Sequence, residues 1–344
     1  MRKIAIMVIM GLIGFQSLAQ VDVDTDKDEE DDWPSPNVTN MMPRGIVLRY
    51  TPVVGYDIDT KSKIAGLPDS EGEVSHLNKF RFKIKIPIVL RDRSNFIIGF
   101  DYAQSEYKFK GEEYKDYPLY QSLNDKDLRS RVVKAYYNHA FDKKHFIYVR
   151  ASAAFNGDIS DDDIPFYNFA NYSLATIYGW QKSPDNAYGV GLYLSYNLGR
   201  RSIYPVFLWN KTWNENWGFE SKLPADFNLR YNVNKKQRFF FGYEVSGDSY
   251  NIALDYEQLA RFNDLQLRRS DILASLSYER AIISDFIWLG LSAGYRFNLR
   301  FDIAEDNSFN RDEILENTVT PSPYFEAMLF FTPSQTIKNI FLDE

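Results

Sequence analysis

The sequence predicts an all-β protein, a transmembrane antiparallel up-and-down β-barrel of about 14 strands. Three observations indicate this fold: long runs of alternating apolar and polar residues, an aromatic content of 16%, and a mean hydropathy of −0.40. Alternate residues of a strand point to opposite faces, so each run has one apolar and one polar side. Many aromatic residues at low mean hydropathy are typical of a barrel with lipid outside, since only every second strand residue must be apolar.

The first element, residues 1–19, reads as a secretory signal peptide. Arg2 and Lys3 precede an apolar run from Ile4 to Phe15, and the small residues Ser17 and Ala19 precede Gln20. The apolar run is shorter than the roughly 20 residues of a membrane-spanning helix. The chain has no cysteine, which excludes a lipidated cysteine and a disulfide framework. We therefore expect export, with a cleaved signal peptide, to the outer membrane of a Gram-negative bacterium.

Residues 20–41 form an acidic segment, the leader, which we expect to be disordered. Its core is VDVDTDKDEEDD, a block of like charges without apolar periodicity. Asp22, Asp24 and Asp26 copy the alternate spacing of calcium ligands, but Lys27 stands where the loop requires glycine. The sequence therefore predicts no metal site and no cofactor, and assigns residues 42–344 to the barrel.

The barrel strands are predicted from period-two runs. In FRFKIKIPIVL, Phe80 to Leu90, the apolar residues alternate with Arg81, Lys83 and Lys85. Similar runs cover residues 46–51, 96–103, 188–198 and 287–301. Most of these runs are as long as, or longer than, the roughly 9 to 11 residues that a tilted strand needs to cross a bilayer. The apolar side is predicted to face lipid and the polar side the lumen.

The connections of the first half alternate in length. Short turns are predicted at residues 91–95, 142–144 and 182–186, and long polar loops at residues 55–77, 110–127 and 156–170. This alternation is the hairpin rhythm of an outer-membrane barrel, which has short periplasmic turns and longer external loops. No helical segment is predicted.

The second half leaves two strand assignments open. Residues 217–233 keep one parity around Pro224, so they are one long strand or two strands broken there. Residues 238–256 change parity near Gly247, which indicates a bulge or a tight turn. Both alternatives give about 14 strands, and 12 is the competing number.

One segment carries a resemblance to a known family. WGFESKLPADFNLRYNVNKKQRFFFGYEVSGDSYNI combines a Trp-Gly start, Leu223-Pro224, Leu-Arg-Tyr at 229–231 and Gly-Asp-Ser-Tyr at 247–250. This combination resembles an uncharacterised Gram-negative outer-membrane barrel family, a domain of unknown function. The resemblance covers most of the chain from about Met42 and implies a fold and a location without an activity. The chain departs from many such barrels at its end, because Phe330 and Phe331 are followed by TPSQTIKNIFLDE, so Phe341 or an internal strand would serve insertion.

An enzyme is not predicted, and no residue is assigned a catalytic role. The chain has three histidines and lacks a His-x-x-x-His pair, a Gly-x-Ser-x-Gly turn and a phosphate-binding glycine loop. His139 and His145 flank the short turn at Asp142, and His139 shares the outward parity of Tyr137. His139 is therefore interpreted as an interfacial residue of the barrel exterior.

The predicted functional residues are the charged side chains on the lumen side of the strands. By parity these pore-lining candidates are Arg81, Lys83, Lys85, Asp101, Arg150, Glu220, Lys222, Glu244, Arg269, Asp271, Glu279, Arg296 and Arg300. Charges of both signs in a barrel can line a wet pore or pair and plug it. The sequence thus leaves two functions open: a passive, porin-like channel or uptake pore for small solutes, with anions as one candidate class, or a closed, plugged barrel with a structural or partner-docking role in the cell envelope.

The expected partners follow from this location. They are the lipid bilayer, lipopolysaccharide, the barrel-insertion machinery and a small solute, with no nucleic acid. The sequence does not indicate an oligomeric state.

Overall fold

The computed structural model describes residues 44–158, 170–254, 257–259, 262, 265–305 and 312–332, which form a closed antiparallel barrel. The predicted signal peptide, the acidic leader and Phe341 lie outside the described residues. The strands are β1 Ile46–Ser62, β2 Ser70–Leu90, β3 Ser94–Phe109, β4 Leu128–Ala140, β5 His145–Gly157, β6 Ala170–Ser183, β7 Asn186–Ser195, β8 Ser202–Thr212, β9 Trp217–Leu223, β10 Asp226–Asn234, β11 Gln237–Ile252, β12 Leu265–Ile283, β13 Ile287–Glu305, β14 Glu313–Val319 and β15 Ser322–Phe331.

The fifteen segments form a barrel of 14 strands, as predicted. Each segment from β1 to β12 pairs with the next, and β12 pairs with β13. The segments β14 and β15 are two pieces of one strand, because both lie between β13 and β1. Pairing of this strand with β1 closes the barrel, so each strand has a paired neighbour on both sides over at least part of its length.

The outer surface is an apolar band with exposed aromatic and branched side chains. Phe80, Ile86 and Ile88 of β2 are 40%, 39% and 55% exposed, and the same outward parity on other strands exposes Val133, Leu192 and Phe241. A closed barrel satisfies the backbone hydrogen bonds within the sheet, which is the condition for strands to cross lipid. The band is therefore the lipid-facing surface of a transmembrane barrel.

Interfacial rings cluster where the short turns join the strands, the short-turn end of the barrel. The ring of His139 packs edge-on to Phe141 at 5.2 Å, and Trp180 packs between Tyr178 at 5.0 Å and Tyr188 at 5.6 Å. This row has the position and composition of an aromatic girdle.

The turn between β4 and β5 shows how a short turn is held at this end. The Asp142 carboxylate accepts hydrogen bonds from the backbone N–H groups of Lys144 at 2.7 Å and His145 at 2.9 Å. The bond from Lys144, followed by the contact with the His145 ring, lowers the pKa of Asp142. The ionised carboxylate of Asp142 therefore holds the turn in this conformation.

The opposite, loop end contains features that the sequence analysis missed. The predicted loop 55–77 is wrong over most of its length, since β1 continues to Ser62 and β2 begins at Ser70. The predicted loop 110–127 contains a short 3₁₀ helix, Glu113–Asp116, and a helix, α1, Pro118–Asp125. A second 3₁₀ turn covers Glu257–Leu259. No helix among the described residues is long and apolar enough to cross a membrane.

The two open assignments of the second half are resolved in opposite ways. Residues 217–234 are two strands, β9 and β10, joined by the two-residue turn at Pro224 and Ala225. Residues 237–252 are one strand, β11, whose pairing with β12 is continuous through Gly247. Neither a bulge nor a turn occurs there. Tyr250 and Ile252 instead face the inside of the barrel, where they are 2% and 4% exposed.

These inward residues belong to an apolar cluster, the loop-end core, which lies inside the barrel. Strand residues such as Leu77, Tyr107 and Leu267 share the inward parity of the charged residues further down their strands and are fully buried. Helix α1 contributes Leu119 and Tyr120, both 0% exposed, and the Tyr120 hydroxyl bonds to Thr60 Oγ1 at 2.6 Å. The interior at this end is therefore filled by side chains and by α1.

The wall is interrupted on one side of the loop end. β9 pairs with β8 only along Phe207–Thr212, so the first five residues of β8, about 17 Å of strand, have no β9 partner. Beyond Glu244, β11 likewise has no β10 partner. We call this break in strand pairing above the β9–β10 turn the wall gap; at its upper side the β7–β8 connection contacts β12, where Ser270 Oγ donates to the Asn197 carbonyl at 2.7 Å.

The upper part of β11 is drawn across the barrel instead. The side-chain amides of Asn156 and Asn171 donate to the carbonyl of Ser249 at 3.1 and 2.9 Å. Asn251 forms a parallel bridge with Gly157, at the end of β5. The loop end is thus narrowed by direct contact between opposite walls.

Candidate functional site

Charged side chains line the interior between the loop-end core and the short-turn end. Along the described inward face of β2 from Leu77 to Leu90, and of β3 to β5, the only acid is Asp101, and the cations are Lys79, Arg81, Lys83, Lys85, Lys134 and Arg150. The inward parity follows from strand alternation, since Lys83 lies opposite Asp101 and Tyr136 lies opposite Arg150. This wall carries a strong excess of positive charge.

Asp101 is the centre of one ion-pair network. Its carboxylate accepts two hydrogen bonds from Arg81, at 2.9 Å from Nε and 2.8 Å from Nη2, and one from Lys134 Nζ at 2.8 Å. Lys83 Nζ lies further away, at 3.9 Å. Asp101 is 2% exposed, so one buried carboxylate holds three cations together.

Asp271 is the centre of a second network on the opposite wall. Lys79, Arg269 and Arg296 approach its carboxylate at 3.7, 3.8 and 3.6 Å, and the Asn298 amide donates to it at 3.0 Å. Arg296 also lies 3.9 Å above the ring of Tyr56. The contact with Lys79 links this network to β2 across the lumen.

Smaller pairs lie nearer the short-turn end. Glu220 accepts a hydrogen bond from Arg230 at 3.0 Å, and Glu279 pairs with Arg44 and lies 4.0 Å from Arg238. Arg238 in turn covers the ring of Trp288 at 4.3 Å. These contacts pack the lower interior around paired charges.

The structure brings together most of the predicted residues and adds several. Lys222 pairs with Asp226 at 3.5 Å, and both Lys222 and Glu244 are exposed within the barrel, beside the β9–β10 turn. Lys79 and Lys134 were missed, although the parity of their strands places them inward in the same way. The exposed side chains of Lys222 and Glu244 show that this middle section of the lumen is accessible to solvent.

The prediction that Arg300 faces the lumen is wrong. The register between β12 and β13 shifts after Asp271, which pairs with Asn298, so that Ser270 pairs with Arg300. The shift turns Arg300 to the other face, where it pairs with Asp302 at 2.7 Å. For the same reason Phe301, predicted to face lipid, points inward and is 3% exposed.

The arrangement is suited to binding or guiding small charged solutes. Ion pairs in the lumen leave a net excess of cations, and a positive wall of low dielectric concentrates anions from solution. The loop-end core blocks the axial route, and the wall gap lies beside the exposed Lys222 and Glu244.

Comparisons with known proteins place this geometry in context. Residues 67–331 match a family model described as Domain of unknown function (DUF6268). No curated protein matches the sequence. Among solved structures, a FadL homologue from Pseudomonas aeruginosa matches with 9% identity over 86% of this chain and 92% of its own, at a TM-score of 0.39.

Two further solved structures have similar scores. An outer membrane channel from Pseudomonas putida F1 matches with 9% identity over 89% of this chain and 100% of its own, at a TM-score of 0.38. The P. putida toluene transporter TodX matches with 10% identity over 86% and 92%, at 0.35.

Proposed function

Because the chain belongs to the DUF6268 family, a domain family of unknown function, we propose a function from the barrel itself: a passive outer-membrane channel for small solutes, with a preference for anions. The observation that carries this proposal is the inward face of β2 to β5, where cations face the single carboxylate of Asp101 within the described strands. A channel wall of this charge favours anions because it attracts them and repels cations.

The proposed location is supported by the outer surface. A closed barrel with an apolar exterior and an aromatic girdle is built for a bilayer, and bacterial barrels of this kind lie in the outer membrane. The predicted signal peptide agrees with export. Contacts with lipopolysaccharide and with the insertion machinery follow as proposals from that location.

The proposed route leads from the charged middle of the lumen to the wall gap. The loop-end core excludes a straight axial path, whereas the exposed Lys222 and Glu244 lie next to the β9–β10 turn, where the wall is lowest. A solute would therefore leave the lumen sideways, above Pro224 and Ala225.

A second candidate is a closed barrel whose role is structural or in docking a partner. The loop-end core favours it, because Leu119 and Tyr120 of α1 are fully buried and Tyr120 is hydrogen-bonded to β1. A plug that is buried and hydrogen-bonded in this way obstructs the barrel at the loop end.

Conductance separates the two candidates. The mature protein is refolded, inserted into a planar bilayer, and its reversal potential is measured across a KCl gradient. We expect discrete current steps with chloride preference that falls in Lys83→Glu and is unchanged in Lys61→Glu, which alters an exposed lysine near the end of β1. A barrel that is folded and inserted but passes no current would contradict the channel and support the closed barrel.

A further inference from the structure

Two lumen cations, Lys85 and Arg150, differ from the others in their surroundings. Lys85 Nζ lies 5.1 Å from the centre of the Tyr136 ring, and Arg150 Cζ lies 4.8 Å from the centre of the Tyr193 ring. No carboxylate of the described residues lies within 4.0 Å of either cation. Aromatic faces, and not acids, hold these two charges in place.

The strands bring the four side chains into one continuous line, the cationic-aromatic row. Tyr136 on β4 is paired with Arg150 on β5, and Lys85 on β2 is paired with Gly99 on β3. Because Gly99 has no side chain, the Tyr136 ring leans across β3 towards Lys85; a Cβ at Gly99 would lie 3.2 Å from Tyr136 Cε2. Beyond Tyr193, the ring of Tyr204 follows at 5.4 Å.

The charged groups around Lys85 do not compensate it. Its charged neighbours Lys134, Lys222, Arg44 and Arg150 are all cations. Three of these have acids of their own: Lys134 binds Asp101 at 2.8 Å, Lys222 lies 3.5 Å from Asp226, and Arg44 binds Glu279. Lys85 and Arg150 therefore differ from these three cations in having no carboxylate of the described residues within 4.0 Å.

A cation over an aromatic ring retains N–H donors that can bind an anion. The attraction between the ring and the cation is weak at a hydrated site, whereas a charge-assisted hydrogen bond to an oxyanion is stronger and, for arginine, bidentate. The side chain of Lys222, one of the neighbouring cations, is 47% exposed, so solvent reaches this part of the lumen.

We propose that the cationic-aromatic row is a binding site for a small oxyanion, a carboxylate or a phosphate, with Lys85 and Arg150 as its ligands. Tyr136 and Tyr193 position the two cations and form the walls of the site. The proposal rests on the proposed channel only for the route by which the anion arrives.

Calorimetric titration of the refolded mature protein in detergent tests the site without any need for conduction. The probes are benzoate and inorganic phosphate, titrated in a chloride buffer. We expect saturable binding that weakens about tenfold in Lys85→Gln and in Arg150→Gln, because each loses one charge-assisted hydrogen bond. Lys85→Arg should retain binding, and Lys61→Gln should be unchanged. Tighter binding of benzoate would identify a carboxylate that uses the rings, and tighter binding of phosphate a phosphate site.

Two results would overturn the site: no saturable heat with either probe, or affinities that are the same in wild type, Lys85→Gln and Arg150→Gln. Gel mobility of unheated samples verifies that each variant is a folded barrel, and Lys85→Arg supplies a folded comparison that keeps the charge. Binding without conductance would leave this site standing and reject the channel. Conductance without binding would do the reverse.

Discussion

Replacing Asp101 with asparagine should destabilise the barrel strongly. The carboxylate is 2% exposed and compensates Arg81, Lys134 and Lys83, at 2.8, 2.8 and 3.9 Å. In Asp101→Asn the three cations remain in the lumen without an acid between them. Breaking a buried pair by removing one partner costs about 3–5 kcal/mol, because it leaves an uncompensated charge.

The assay is urea unfolding of the refolded protein in lipid vesicles, followed by the fluorescence of its six tryptophans. Glu106→Gln is the matched control, because Glu106 and Lys108 form an exposed pair at 3.4 Å with 42% and 40% exposed side chains. An exposed pair of this kind contributes about 0–1 kcal/mol. The two variants should therefore differ by several-fold in the free energy of unfolding that they lose.

A double variant identifies the cause of the loss. In Asp101→Asn combined with Lys134→Met, one of the stranded cations is gone, so the loss should be smaller than the sum of the two single losses. If Asp101→Asn loses no more than Glu106→Gln, or if the double variant is additive, the interior is hydrated enough to screen the cations and the ion-pair reasoning is wrong.

Three further outcomes are expected. A maleimide-linked polymer attached to Ala225→Cys, at the β9–β10 turn, should reduce conductance, whereas the same label on Lys61→Cys should not. Each variant carries a single label, because the chain has no cysteine of its own. Equal currents in the two labelled proteins would reject the wall gap as the route. Leu119→Asp places a charge at a fully buried position of α1 and should raise conductance by loosening the loop-end core, and an unchanged current would show that α1 does not limit flow. Burial raises the pKa of Tyr120 from 10.0 to about 12, so the stabilisation from its neutral phenol is complete below pH 10 and is lost as the pH rises towards 12. Between pH 9 and pH 11.5 the free energy of unfolding in urea should therefore fall further in wild type than in Tyr120→Phe. An equal fall in the two proteins would contradict this.

The barrel and the charged wall could be predicted from the sequence because both depend on alternation alone. Phe80, Ile86 and Ile88 are exposed outward and Arg81, Lys83 and Lys85 lie between them, as the period of two requires. Short turns such as the one at Asp142 are also local, since turn residues specify them directly. These parts of the fold do not depend on contacts between distant strands.

The errors arose where distant contacts decide the structure. An apolar residue on a strand satisfies lipid and an inner core equally well, so the apolar pair Tyr250 and Ile252 was read as a change of parity. The shift that turns Arg300 outward depends on the register between β12 and β13, which neither strand specifies alone. Helix α1 is only eight residues long and owes its burial to the loop-end core.

The interior is therefore layered, and the layers restrict where function can reside. Apolar clusters occupy the loop end, with Leu119 and Tyr120 of α1, and much of the short-turn end, with Phe146 and Trp288. The charged middle layer lies between them, where Lys222 and Glu244 are exposed and the wall is lowest. A solute that meets the protein inside the barrel must meet it in this layer. Because the cations of this layer exceed the acids on the described faces of β2 to β5, an anion is the ligand that binding there would stabilise.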